Sequence, residues 1–165
     1  MKNRENIKGF TLLELLTVIS IIAVLMGIVV PIVSEATRKS KVAKSRATIA
    51  KIEMALSAYE NDWGEFPPPP SNTAPDLNNN TGDLYTFLNA RSTSGSAYME
   101  IRTQDTNSND QILDPWGNPY VVTVFFSGLS MPSNNNTTFD IYSLGPDGTT
   151  STNGGDANDI NNWSR

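Results

Sequence analysis

The chain has 165 residues, neither cysteine nor histidine, and a net charge of −5 at pH 7. Without cysteine a disulfide framework and a thiolate metal site are excluded, and without histidine the commonest general base is missing, so composition disfavours most enzyme classes. The length suits one domain of modest core. From Ile52 onward there are 14 acidic and 3 basic residues, a balance of −11, which disfavours nucleic-acid binding and favours cations.

The N-terminal region joins a basic leader, residues 1–9, to an apolar run over residues 10–33 whose one charged residue is Glu14. About 20 apolar residues suffice to span a bilayer. A carboxylate in such a segment is costly unless it is paired, so Glu14 is a candidate functional residue. Cleavage between Gly9 and Phe10 would supply a partner, a free amine. The basic leader is predicted to stay on the cytoplasmic side.

One long helix is predicted from about Thr11 to about Asp62. Its second half, residues 34–63, is amphipathic and is interpreted as the seat of a globular head over residues 64–165. The apolar positions recur at helical spacing. They are Val42, Ile49, Ile52, Leu56 and Tyr59, with Ala43, Ala50 and Met54 nearby.

Gly27 and Pro31 are predicted to break the first half of this helix. Proline lacks the N–H that would bond the carbonyl four residues earlier, and its ring clashes there, while glycine is a weak helix former. The pair marks a segment that bends or locally unfolds. The alternative interpretation is a mild kink in a lipid-facing helix.

The head is predicted to be a small antiparallel sheet packed on the helix, an α+β arrangement. Gly64 and prolines 67–70 end the long helix. A short helix, capped by Asp83, and a sheet should follow. The predicted elements are a helix over Leu84–Asn89, a short strand over Tyr98–Arg102, strands over Tyr120–Ser127 and Phe139–Leu144 joined by a turn over Ser133–Thr138, and a Gly/Asn/Asp-rich tail from Gly145 to Arg165.

Two motifs stand out in the head. Residues 114–120, DPWGNPY, form a turn with two fixed prolines and aromatic anchors, which we interpret as structural. Residues 143–160 combine glycine with aspartate and asparagine. Oxygen ligands in a flexible loop suit Ca²⁺, although the spacing is not that of an EF-hand. From chemistry alone, a solvated polar tail explains this loop equally well.

The N-terminal segment KGFTLLELLTVISIIAVLMGIVVPI, residues 8–32, resembles the class III signal of type IV pilins and type II secretion pseudopilins. In that family a membrane aspartyl peptidase cuts after the glycine, the new N-terminal phenylalanine is methylated, and the fifth mature residue is glutamate. The resemblance implies processing at Gly9 and Phe10, and assembly through Phe10 and Glu14. It also implies melting of the stretch before Pro31 in filaments. An ordinary signal anchor with an incidental glutamate is the alternative.

DPWGNPY, and SLGPDG followed by an Asp-rich loop and a terminal tryptophan, resemble the major pseudopilins of type II secretion, which have the type IV pilin-like fold. The resemblance implies a calcium loop. Its ligands would be the Leu144 carbonyl, Asp147, Asn158 and Asp159, with Asp156 as a possible substitute. Asn158 stands where an acid often sits.

The expected function is therefore that of a structural subunit, not an enzyme, which polymerises into a type II secretion pseudopilus. The implied partners are copies of itself, minor pseudopilins, an inner-membrane assembly platform and the prepilin peptidase, with no nucleic acid. The precursor would cross the inner membrane once with its head in the periplasm, and the filament would be periplasmic. The alternatives are a type IV pilin of a surface filament, used for adhesion, motility or DNA uptake, a membrane-anchored binding protein that never polymerises and, more distantly, a hydrolase.

Overall fold

The computed structural model describes residues 10–67, 77, 83–89, 95–124, 134 and 139–164. The chain divides into an N-terminal unit that ends at Ser40 and a C-terminal unit that begins at Lys41. The described residues form seven elements. They are α1 (Leu12–Trp63), α2 (Asp83–Asn89), a 3-10 turn (Thr103–Asp105), β1 (Val121–Val124), β2 (Phe139–Ser143), a second 3-10 turn (Gly145–Asp147) and β3 (Ile160–Asn161).

Helix α1 confirms the predicted long helix to within one residue at each end. It ends where Gly64 takes a φ of 76° and donates its N–H to the Glu60 carbonyl at 2.7 Å. Glycine adopts this left-handed conformation without the steric cost that other residues meet. The helix runs without interruption through Gly27 and Pro31. The predicted break there stays a prediction.

The sheet has the order β1-β2-β3 and is antiparallel throughout. Val121 is paired with Tyr142 and Val124 with Phe139, which confirms the predicted pairing of these two segments. The predicted extension of β1 beyond Val124, and the turn except for Asn134, lie outside the described residues. β2 occupies the centre, so both of its edges are paired.

Two predictions for the head were wrong. The tail from Gly145 onward returns to the sheet, because Ile160 pairs with Ser143 and Asn161 with Tyr142. No strand forms over residues 98–102, which are all described. There the Met99 N–H bonds the Leu88 carbonyl of α2 instead of a ladder partner. The predicted short helix is confirmed as α2, which begins at Asp83.

The hydrophobic core lies in the C-terminal unit, between one face of α1 and the sheet. Ile49, Ile52 and Leu56 of α1 are buried, as the helical spacing predicted, whereas Met54 is 66% exposed. The rest of this core comes from Ala55 of α1, from α2 and the three strands, and from the segments between these elements. Its side chains include Ala55, Phe66, Leu77, Leu84, Leu88, Ile112, Tyr120, Val122, Val124, Phe139, Ile141 and Ile160.

Candidate functional site

The N-terminal unit exposes its apolar side chains. Every described residue from Phe10 to Ser40 is exposed, and Leu12 reaches 88%. The first part of α1 is long and apolar enough to cross a membrane, with a mean hydropathy of 2.8 over its most apolar 18-residue window. An exposed apolar surface of this extent indicates contact with lipid or with another chain.

Glu14 closes a capping box with Thr11 at the start of α1. Its Oε2 accepts bonds from the Thr11 N–H and hydroxyl, both at 2.9 Å, and the Glu14 N–H donates to Thr11 Oγ1 at 3.2 Å. These bonds satisfy two backbone donors that a helix N-terminus otherwise leaves unpaired. The sequence interpretation missed this role, although the T-x-x-E spacing is its signature. Phe10 is 80% exposed, and Gly9 lies outside the described residues.

The DPWGNPY turn is organised by the buried carboxylate of Asp114. Its Oδ1 accepts the N–H groups of Trp116 and Asn118, both at 2.9 Å. The turn is also fixed to α1, because the Tyr120 hydroxyl donates to Ser45 Oγ at 3.2 Å, with both residues buried. Burial raises the pKa of Tyr120 above its ordinary value. Lys41 of α1 lies 5.9 Å from the ring centre of Trp116.

The same carboxylate joins the turn to the beginning of the C-terminal loop, residues 144–159. The Ser143 hydroxyl donates to Asp114 Oδ2 at 2.6 Å and accepts the Gly145 N–H at 3.1 Å. Asn118 Nδ2 donates to the Gly145 carbonyl at 2.9 Å. The sequence interpretation treated the turn and the loop as separate motifs and missed Ser143 and Asn118 as the connection.

Two predicted ligands, Asp156 and Asp159, hold the loop through hydroxyl and backbone donors. Asp156 accepts the Ser151 N–H at 2.7 Å and the Thr152 hydroxyl at 2.7 Å. These bonds, the backbone one foremost, lower the pKa of Asp156. Asp159 Oδ2 accepts the Thr150 hydroxyl at 2.8 Å and the Asp156 N–H at 3.0 Å.

The second carboxylate oxygen of Asp159, Oδ1, is buried and receives no hydrogen bond from the described part of the chain. A buried carboxylate oxygen without a donor is costly and rare in proteins. A cation with oxygen ligands would satisfy this atom. The predicted calcium loop therefore contains one atom whose environment fits an ion.

The remaining predicted ligands are Leu144, Asp147 and Asn158. Leu144 and Asn158 lie at a close contact between the backbones of Gly145 and Asn158. Gly145, next to Leu144, is so near the Asn158 carbonyl that a Cβ at Gly145 would overlap it. Asp147 is exposed, and its Oδ1 accepts the Thr149 N–H at 3.2 Å. Among the described residues no three acidic side chains converge closely enough to hold a metal ion by themselves.

An aromatic pair lies beside this loop. The rings of Tyr142 and Trp163 meet edge to face, with centroids 6.0 Å apart. Gly154 of the loop lies against the Tyr142 ring so closely that a Cβ there would overlap it. The loop therefore packs on β2 through Tyr142.

Two family models match the sequence. The model for type II secretion system protein G matches residues 32–163, and the prokaryotic N-terminal methylation motif matches residues 4–30. This chain belongs to the type II secretion system protein G family. The match confirms the resemblance found in the N-terminal segment, the turn and the C-terminal loop.

Relatives in this family align over nearly the whole chain. The type II secretion system core protein G of Pseudomonas aeruginosa is 31% identical over 99% of both chains. That of Escherichia coli K12 is 30% identical, covering 99% of this chain and 95% of its own. A crystal structure of the major pseudopilin from the type 2 secretion system of enterohaemorrhagic Escherichia coli aligns with a TM-score of 0.46 at 20% identity, over 78% of this chain and 87% of that chain.

The methylation motif in this protein G family member includes Gly9, Phe10 and Glu14. Together with the apolar, fully exposed start of α1, it fits a membrane-anchored pseudopilin. The capping box lies inside the motif, so Glu14 of the family signature also closes the start of the helix.

Proposed function

We propose that this chain is a structural subunit that polymerises through its N-terminal helix into a type II secretion pseudopilus supporting protein export across the outer membrane, and that it has no enzymatic role. This proposal rests on the exposed apolar surface at the start of α1 in a member of the protein G family. Residues 10–33 expose a continuous apolar surface that contains a single carboxylate. Such a surface requires lipid before assembly and neighbouring helices after it.

Processing would create the partner for that carboxylate. Prepilin peptidase would cleave after Gly9, and the amine of Phe10 would then be methylated. Oε2 of Glu14 holds Thr11 of its own chain, while no hydrogen bond within the described chain reaches Oε1. Oε1 is therefore the atom that would accept the amine of a neighbouring subunit. The pairing offsets two charges that are each costly in an apolar filament core.

The proposed partners and location follow from this scheme. The homopolymer would be initiated by minor pseudopilins and extended by an inner-membrane assembly platform. The basic leader with Lys2, Arg4 and Lys8 supports the proposal that the N-terminus is cytoplasmic and that the head of the single-pass precursor lies in the periplasm. We further propose that the helix between Gly27 and Pro31 unwinds in the filament, because Pro31 leaves the Gly27 carbonyl without its helical donor.

We also propose that the C-terminal loop binds Ca²⁺. The support is the buried Oδ1 of Asp159, which lacks a donor, and the Gly145–Asn158 contact that brings the two ends of the loop together. The ligands would be the Leu144 carbonyl with Asp147, Asp156, Asn158 and Asp159. The ion would offset the repulsion among the carboxylates and so couple binding to folding of the head.

The test of the polymerisation proposal is Glu14→Ala, expressed in a type II secretion strain that lacks its own major pseudopilin. We expect normal cleavage and a normal head but loss of pseudopili and of secretion, since the buried amine loses its partner. Glu35→Ala is the control, because it also removes one acid from the exposed part of α1 outside the apolar run. A normal yield of pseudopili from Glu14→Ala would overturn the proposal.

Cleavage is tested separately with Gly9→Leu. We expect the full-length precursor to accumulate in the membrane, because a bulky side chain at this position blocks the peptidase. Mass spectrometry of the N-terminus measures the outcome. A normally shortened and methylated product would place the cleavage elsewhere.

A further inference from the structure

We propose that Ser143 and Asn118 are positioning residues for the calcium loop, fixing the peptide groups on either side of Gly145 so that the Leu144 carbonyl faces the ion. This inference rests on the proposed binding of Ca²⁺. It gives the DPWGNPY turn a role in ligand geometry that its sequence does not indicate.

The peptide group between Leu144 and Gly145 has a fixed geometry. The Leu144 carbonyl and the Gly145 N–H belong to the same planar trans unit, so they point in opposite directions. The Gly145 N–H is bonded to Ser143 Oγ at 3.1 Å, on the buried side. The Leu144 carbonyl is therefore directed away from Ser143.

The peptide group that follows Gly145 is held as well. The Gly145 carbonyl accepts a bond from Asn118 Nδ2 at 2.9 Å. With one bond on each side, the peptide planes before and after Gly145 are both held. Gly145 itself has a φ of 67°, a conformation that favours glycine, and it contacts the Asn158 backbone. The segment that these two bonds hold therefore connects Leu144 with Asn158, a proposed ligand near the other end of the loop.

Both positioning residues are themselves anchored, Ser143 through its side chain and Asn118 through its backbone. Asp114 is 5% exposed and accepts the Ser143 hydroxyl at 2.6 Å and the Asn118 backbone N–H at 2.9 Å. The turn is in turn fixed to α1 by the buried Tyr120–Ser45 bond. Neither anchor uses an atom of the proposed ligands, so the geometry of the Leu144 carbonyl is set before an ion arrives.

The consequence is a loop that loses little freedom on binding. Ligands that are already oriented bind more tightly, since ordering them costs less free energy at the moment of binding. Without Ser143 Oγ or Asn118 Nδ2, the peptide groups around Gly145 lose one of the bonds that hold them, so the Leu144 carbonyl is less well oriented before the ion arrives. We expect the dissociation constant for Ca²⁺ to rise about tenfold or more in either variant.

The experiment uses the full chain in detergent micelles, with Ca²⁺ titrated by calorimetry and with thermal unfolding measured in CaCl₂ and in EGTA. The variants are Ser143→Ala and Asn118→Ala. Val122→Ala is the matched control, because it weakens the buried core at β1 and Val122 is paired with Ile141, outside the loop. A merely structural role lowers the unfolding midpoint equally with and without calcium, as the control should do.

The expected result is that the calcium-dependent increase in midpoint shrinks in both variants and is retained in Val122→Ala. If the unchanged chain shows no increase, calcium binding itself is wrong. If the unchanged chain shows the increase and both variants keep its full size and the same dissociation constant, the positioning role is wrong. Should Ser143→Ala fail to fold, Asn118→Ala, at a half-buried position, decides between these outcomes.

Discussion

The interactions within the two units of this chain differ. In the N-terminal unit every described residue is exposed, and the side-chain hydrogen bonds among these residues join positions three or four apart. In the C-terminal unit a buried core joins distant segments, and one hydrogen bond links residues 75 positions apart. The head supplies its own stability, whereas the N-terminal helix presents an apolar surface that other molecules must cover.

The largest difference between the two units is expected when one leucine in each is truncated to alanine. Leu56→Ala removes a fully buried side chain from the core and should reduce the free energy of unfolding of the head by about 3–5 kcal/mol. Leu25→Ala removes a side chain that is 56% exposed and should leave that free energy unchanged. Urea unfolding of the full chain in detergent, followed by near-UV circular dichroism, measures both. Equal losses would show that the N-terminal helix contributes to the head.

A second pair of variants tests whether the C-terminal loop belongs to the self-supporting head. Gly145→Ala should lower the free energy of unfolding by about 2–4 kcal/mol, because it combines a left-handed backbone with overlap on the Asn158 carbonyl. Gly117 also has a positive φ, of 96°, but faces open space. Gly117→Ala therefore isolates the backbone cost of about 1–2 kcal/mol. Identical losses would mean that the Gly145–Asn158 contact is absent in solution.

A third prediction uses alkaline pH, at which tyrosines titrate; the N-terminal unit contains no tyrosine. The pKa of Tyr120 is raised by burial, so the fold favours the neutral phenol. Its stabilising contribution is complete below the ordinary tyrosine value of 10.0 and is lost as the pH rises beyond it. Tyr120→Phe should lower the free energy of unfolding by about 1 kcal/mol at neutral pH, because its hydrogen bond is missing. On going to alkaline pH, this variant should lose less stability than the unchanged chain does.

Ser45→Ala is the control for that pH profile, because it removes the same hydrogen bond and keeps the phenol. It should retain the full alkaline loss, measured as the free energy of unfolding at pH 8 and above pH 10. Tyr59 and Tyr98 also have raised pKa values, so Tyr120→Phe reduces the alkaline loss without abolishing it. Coincident profiles for the two variants would contradict the assignment to Tyr120.

The smallest expected effect compares surface ion pairs in the two units. Glu35 pairs with Arg38 at 2.8 Å on one turn of α1, whereas Asp105 joins Lys44 of α1, at 3.7 Å, to the head. Exposed pairs contribute about 0–1 kcal/mol and are screened by salt. Lys44→Gln should change the free energy of unfolding of the head by less than about 1 kcal/mol, and by nothing near 1 M NaCl. Glu35→Gln should leave it unchanged at any salt concentration.

The sequence was sufficient for the elements whose signals are periodic or dense. Helix α1 followed from its apolar run and the spacing of Ile49, Ile52 and Leu56, and the β1–β2 pair followed from β-branched and aromatic residues. β3 was missed, because a two-residue strand in an Asn-rich stretch carries no alternation and forms only when β2 offers its free edge. The strand over residues 98–102 was wrong for the converse reason, since propensity was present but no described segment pairs with these residues.

The sequence predicted which motifs form the candidate sites, but not the contacts between their residues. The family signature contained Gly9, Phe10 and Glu14, yet the bonds from Thr11 to Glu14 were overlooked despite their readable spacing. The bond between Asp114 and Ser143 spans 29 positions, which no local pattern reports. The donor-free Oδ1 of Asp159 could be found only from the folded chain, because burial of a single atom depends on the whole loop.

The contact of Trp163 with Tyr142 has a spectroscopic consequence. The three tryptophans report on different places, namely the end of α1 for Trp63, the DPWGNPY turn for Trp116 and the C-terminal loop for Trp163. Because the Tyr142 ring contacts Trp163 on one hand and Gly154 on the other, a rearranged loop would alter the surroundings of the indole. A purified chain that keeps only Trp163 would thus emit a fluorescence signal that reports on the loop without an added dye.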